Sequence, residues 1–140
     1  MGAPGSRATG TTEKRQPIEE FRIDEERLGP ATAVLAIYGE ADMRVASELK
    51  DRLGEVIDDG PSAVVLDLSA ATFVDSTALG VLLGAMKRQR ARGGRFRVVA
   101  PMSEIRRIFE ITLLDRVFEL DLSRREALAA ARDGRPRDGL

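Results

Sequence analysis

The sequence contains no cysteine, no histidine and no tryptophan. Without cysteine there is no disulfide framework and no thiolate nucleophile. With histidine also missing, there is neither a zinc site of the usual His/Cys type nor a Ser-His-Asp triad. Histidine is the side chain whose ordinary titration falls near neutral pH, so the commonest general acid–base is absent too. No apolar run approaches the roughly 20 residues that a transmembrane helix needs. Nor does either charge dominate: 22 Lys and Arg face 23 Asp and Glu, a formal net charge of −1. That balance argues against direct nucleic-acid binding and against an anionic membrane as partner. Asparagine is missing and basic charge is carried almost wholly by arginine, a bias typical of GC-rich genomes. The expected setting is the cytoplasm of a bacterium.

What is present suits one folded domain with short tails. The chain has 140 residues, 43% apolar and 32% charged, ordinary values for a globular protein large enough to bury its own core. Residues 1–17 are rich in Gly, Thr, Ser, Pro and charge without an apolar period, so they are expected to form a disordered tail. Residues 18–132 form the expected domain, and 133–140 (DGRPRDGL) read as a flexible tail. Within the domain, two periodicities alternate, the mark of a mixed α/β fold. Phe21 and Ile23 alternate with charge, and Gly29-Pro30 turns the chain into the apolar run Val34–Tyr38, so a hairpin is expected. Val45, Leu49, Leu53 and Val56 recur at helical spacing up to Gly60-Pro61. Ala63–Leu68 is a nearly continuous apolar run, expected as a central strand covered on both faces. A helix beginning after Asp75 carries Leu79, Leu82, Leu83 and Met86 on one face and closes at Gly93-Gly94. Phe96–Ala100 is the next strand. Ser103 is expected to cap a helix containing Ile105, Ile108, Phe109 and Leu113. Val117–Leu120 is a final short strand, and Ser123 opens the last helix. The expected order is β-β-α-β-α-β-α-β-α, one mixed sheet with helices packed against it.

The segment Thr72–Gly80 (TFVDSTALG) lies between a central strand and a helix, at the sheet edge where α/β proteins gather their sites. Asp75 or Ser76 fits the helix N-cap, which places Ser76 and Thr77 at or within the first turn. Free amides and the positive end of the helix dipole suit a phosphoryl group there. The same residues are also what ordinary capping requires, and local sequence alone leaves both readings open.

Three pieces together resemble the STAS domain family, closest in pattern to the bacterial anti-sigma factor antagonists: Gly39-Glu40-Ala41-Asp42, the run AVVLDLSAATFVDSTALGVLL, and the Gly-Gly break followed by FRVVAP. The resemblance runs from about Phe21 to Ala130, and DST-x-LG is its most specific part. It implies a STAS-like fold and a non-enzymatic switch protein that needs no cofactor or metal of its own. It further implies that Ser76 is the phosphorylated serine. The unmodified form would bind a serine-kinase anti-sigma factor of the histidine-kinase-like ATPase fold, so freeing the sigma factor. Phosphorylation at Ser76 would release the complex, and a protein phosphatase would reset it. Asp42, Asp75, Ser76, Thr77 and Val81 are the candidate partner-binding residues, Thr77 being the poorer phosphoacceptor. Many relatives carry Gly where this chain has Ala78, a methyl at a place where a partner backbone approaches on that reading.

Other features carry less. Asp42 is equally a candidate cap for the helix containing Val45. Val81 and Ala85 fall off the stripe of Leu79, Leu82 and Met86, so they are candidates for an exposed apolar patch. Six basic residues between Lys87 and Arg97 read as a solvated helix end, since a single aromatic is interleaved. Gly80-x-x-x-Gly84 is helical spacing and not a phosphate loop. The acids and lysines do not fit a phospho-accepting receiver domain. The rival functions are a STAS adaptor subunit of a larger assembly (a lipid transporter or stress-signalling complex), an enzyme working with carboxylates and Ser76 alone, and a scaffold indifferent to phosphorylation.

Overall fold

The structure, a computed structural model, describes residues 20–133 except Met102. The tails expected at 1–17 and 133–140 lie outside the described residues, but for Asp133, the last residue of the final helix. Five strands form one sheet in sequential order. Strand β1 (Arg22–Leu28) pairs antiparallel with β2 (Thr32–Ala41), as the Gly29-Pro30 turn predicts. Strands β3 (Ala63–Val74), β4 (Arg95–Val99) and β5 (Glu119–Asp121) then add in parallel. The parallel crossovers are made by α1 (Ala46–Asp58), α2 (Ser76–Ala91) and α3 (Glu104–Ile111), and α4 (Arg124–Asp133) closes the chain.

Alternation along the central strands divides the core between the two faces. Leu35, Val64, Leu66 and Val98 join one large cluster with Leu49, Leu53, Leu82, Met86, Ile105 and Phe109 of α1, α2 and α3. Val34, Val65 and Val99 point the other way and meet Ala127 of α4. Burial on both faces explains why these strands read as continuous apolar runs. Phe109 packs edge-on against Phe118, with ring centroids 5.3 Å apart, an arrangement worth about 0.5–1.5 kcal/mol beyond the area it buries. The α4 face also carries polar pairs. Asp67 and Glu26 receive the Arg124 guanidinium, and Asp121 and Glu119 receive that of Arg97. Strand β1 is an edge lined with exposed charge, which discourages pairing with another sheet.

Four expectations need correction. The central strand does not stop at Leu68 but runs to Val74. It gains one residue on β2 between the Ala36–Asp67 and Tyr38–Ala70 pairs and another before Glu40–Phe73. Such bulges break the two-residue alternation by which a strand is recognised. At the first, Ser69 donates its hydroxyl and its amide to Asp67 Oδ1 at 2.6 and 2.9 Å; Gly39, near the second, adopts φ +83°, a conformation suited to glycine. The helix expected to include Leu113 ends at Ile111, because Leu113 turns left-handed (φ 62°) and the helical path cannot continue through it. A 3₁₀ turn at Leu114–Arg116 follows, so the last strand begins at Glu119 and not at Val117. Ser103 occupies the N-cap position of α3, but its side chain makes no capping bond.

Candidate functional site

Strands β2 and β3 end side by side, with Ala41 paired to Val74. The loop into α1 and the first turn of α2 therefore emerge together. Asp75 is the N-cap of α2, and its Oδ1 accepts from the Ala78 amide at 2.9 Å. Ser76 and Thr77 are the first two residues of the helix, and both are exposed. Their amides have no partner within a helix at these positions.

The neighbouring loop carries Asp42. Its Oδ1 accepts from the Arg44 amide at 3.0 Å, while Oδ2 accepts from Arg44 Nη2 at 2.7 Å and Nε at 3.0 Å. The Arg44 guanidinium holds the Asp42 carboxyl below its ordinary range, against the opposing effect of desolvation. Arg44 also reaches Glu40 Oε1 at 3.4 Å. Asp42 and Glu40 thus share one guanidinium, and with Asp75 beside them the edge near Ser76 is acidic. Asp42 does not cap α1. Val45 is the N-cap, and Asp42 closes the turn before it, its carbonyl accepting from the Val45 amide at 3.0 Å. Among the described residues, no group of three or more Asp and Glu is placed to hold a metal ion.

Beside Ser76, α1 and α2 enclose a groove of about 430 Å³. Leu53 and Gly54 of α1 face Thr77, Val81 and Gly84 of α2 across it, and Lys50 and Arg88 stand among its lining residues. A side chain added at Gly80 or Gly84 would meet nothing within 4 Å, so the groove owes its width partly to these glycines.

Residues 24–127 match the STAS domain family. The chain belongs to that family. The anti-sigma-F factor antagonist RsfB of Mycobacterium tuberculosis is 40% identical over 103 residues, which cover 74% of this chain and 84% of RsfB. The crystal structure of an anti-sigma factor antagonist from Mycobacterium paratuberculosis superposes with a TM-score of 0.76 at 34% identity, covering 81% of this chain and 96% of that one. The unphosphorylated form of the antagonist SpoIIAA has the same fold, with a TM-score of 0.69 at 21% identity over 80% of this chain and 97% of its own. This STAS domain is accordingly an anti-sigma factor antagonist by family, a regulator and not an enzyme.

The structure brings Asp42, Asp75, Ser76 and Thr77 of this STAS domain to one edge, with Val81 a turn further along α2. Val81 is half-buried in the groove wall and Ala85 is buried, so the exposed patch expected from helical spacing does not form. The helix lies against α1 as well as the sheet, which widens its buried face. Ala78 is fully buried in the main cluster. Its methyl points into the core and not toward a partner. The basic run from Lys87 to Arg97 is largely engaged within the domain: Arg88 pairs with Asp58, Arg90 donates to the Val117 carbonyl at 3.0 Å, and Arg97 pairs with Asp121 at 2.7 Å. Sequence reasoning missed Met43 and Phe73, which are 70% and 45% exposed close to the acidic edge. Phe73 sits beyond the bulges, where alternation no longer reports which face a residue takes.

Proposed function

We propose that this STAS domain is a phosphorylation-controlled antagonist acting in the bacterial cytoplasm. Unmodified, it binds a serine-kinase anti-sigma factor of the histidine-kinase-like ATPase fold and displaces the sigma factor. The kinase then transfers the γ-phosphoryl group of ATP to Ser76 Oγ, with ADP leaving and the hydroxyl proton passing to a base of the kinase. The modified antagonist dissociates, and a protein phosphatase hydrolyses the ester. Asp42, Asp75, Ser76, Thr77 and Val81 form or support the docking surface.

The observation that carries this reading is the setting of Ser76. It is exposed at the first position of a 16-residue helix, with an acidic loop fixed beside it. A phosphoryl group adds about −1.5 to −2 charges at neutral pH. In the free protein, the amides of the first turn and the helix dipole offset that charge. Within an interface already containing Asp42 and Glu40, the same charge meets like charge and loses solvent, which weakens the complex. No refolding of the antagonist is required. SpoIIAA, which shares the fold, has structures of both an unphosphorylated and a phosphorylated form.

The test is intact mass and phosphopeptide mapping after incubation with ATP and each candidate serine-kinase anti-sigma factor. One phosphoryl group at Ser76, absent from Ser76→Ala, is the expected result. No incorporation with any candidate kinase would sink the switch and favour an adaptor role in a larger assembly.

A further inference from the structure

Asp75 holds more than its own helix. While Oδ1 caps α2 through the Ala78 amide, Oδ2 accepts from the Met43 amide, also at 2.9 Å and 32 residues away in sequence. The Asp75 amide in turn donates to the Ala41 carbonyl at 3.1 Å. Asp42 therefore lies between two residues that are both bonded to Asp75. Its carboxylate, already oriented by Arg44, is thereby set relative to the helix turn that presents Ser76. Both Asp75 oxygens are occupied by backbone donors, and the side chain is half-buried. That leaves it poorly placed to serve as a partner contact.

We propose that Asp75 is a positioning residue, which locks the Asp42 loop to the start of α2 so that the partner meets Asp42 and Ser76 as one rigid surface. This role rests on the partner-switching reading above. An asparagine at this position separates the two bonds. Asn caps a helix as well as Asp does, and its carbonyl oxygen keeps the Ala78 amide. Its amide group, however, would face the Met43 N–H donor to donor. Serine makes the same separation by another route, since its short hydroxyl caps but does not reach Met43.

The experiment is a double-mutant cycle of Asp75→Asn with Asp42→Ala, measured as the Kd for the candidate serine-kinase anti-sigma factor with ADP bound, so that Ser76 is not phosphorylated during the titration. Hydrogen exchange at the Met43 amide in the free protein is followed in parallel. Asp75→Asn and Asp75→Ser are expected to keep the melting temperature within about 5 °C of wild type. Both should accelerate exchange at Met43 and weaken binding about tenfold, the worth of roughly one hydrogen bond. In the Asp42→Ala background that loss should disappear, because Asp75 acts through Asp42. Additive losses would overturn the proposal by showing that Asp75 meets the partner itself. Wild-type affinity with accelerated Met43 exchange would overturn it as well, since the loop would then need no lock. Failure of the wild-type protein to bind would appear before any variant is compared; it overturns the partner-switching reading and the positioning role with it.

Discussion

Asp42 and Arg44 show how a two-residue separation sets the charge state of a surface. The guanidinium donates to Asp42 Oδ2, and this hydrogen bond depresses the carboxyl pKa. A carboxyl whose pKa is lower in the folded chain contributes stability above its unfolded pKa, and loses it as pH falls through the folded value. The interaction should thus be intact at neutral pH and weaken only in acid, below the ordinary Asp range. Carboxyl NMR titration of Asp42 should show the depressed pKa in the wild type and its return toward the ordinary value in Arg44→Ala; an unchanged Asp42 titration in that variant would assign the shift to something else. Legibility at this scale is uneven. Ser76 and Asp75 stand out because capping chemistry has a short sequence signature. The Met43–Asp75 bond has none, since it joins a backbone amide to a side chain across 32 residues.

At the level of elements, α2 is fixed at both ends by contacts of different kinds. Asp75 caps its start, and buried Gln89 anchors its finish by donating Nε2 to the Pro61 carbonyl at 2.9 Å and the Arg95 carbonyl at 3.3 Å. The Gly93-Gly94 break then has two separate causes. Gly93 adopts φ +82°, and a Cβ at Gly94 would lie 2.2 Å from Gln89 Nε2. Gly94→Ala should therefore destabilise the domain by about 1–3 kcal/mol, through forced displacement of a hydrogen-bonded buried side chain. The cost should largely vanish in a Gln89→Ala background, as chemical denaturation of the four proteins would reveal. A full penalty without Gln89 would place the clash elsewhere. Helices were readable from their period and the central parallel strands from continuous apolar runs, because each faces a defined apolar environment. The end of β3 was not, since two extra residues reset which side chains point inward. The same loss of phase hid Phe73, whereas Val81 was misread because a helix packed on two neighbours buries more than one stripe.

For the whole molecule, the sheet works as a base that carries two loops to one edge, and the proposed switch needs only a change of charge there. The core clusters lie beneath this edge, while Ser76 is exposed on it. Adding a phosphoryl group should consequently alter recognition while leaving the fold in place. The sequence revealed the order of the elements and the edge at which the candidate site lies; the groove between α1 and α2 was not legible, because it depends on how far apart two helices are held. The central claim is that modification of Ser76 sets affinity for the partner. The direct measurement is calorimetric titration of the serine-kinase anti-sigma factor with unmodified protein, with protein fully phosphorylated at Ser76, and with Ser76→Ala. Phosphorylation is expected to weaken binding by at least about 100-fold, roughly 2.7 kcal/mol, while Ser76→Ala binds tightly and stays bound in ATP. Equal affinity of the phosphorylated and unmodified proteins would contradict the account.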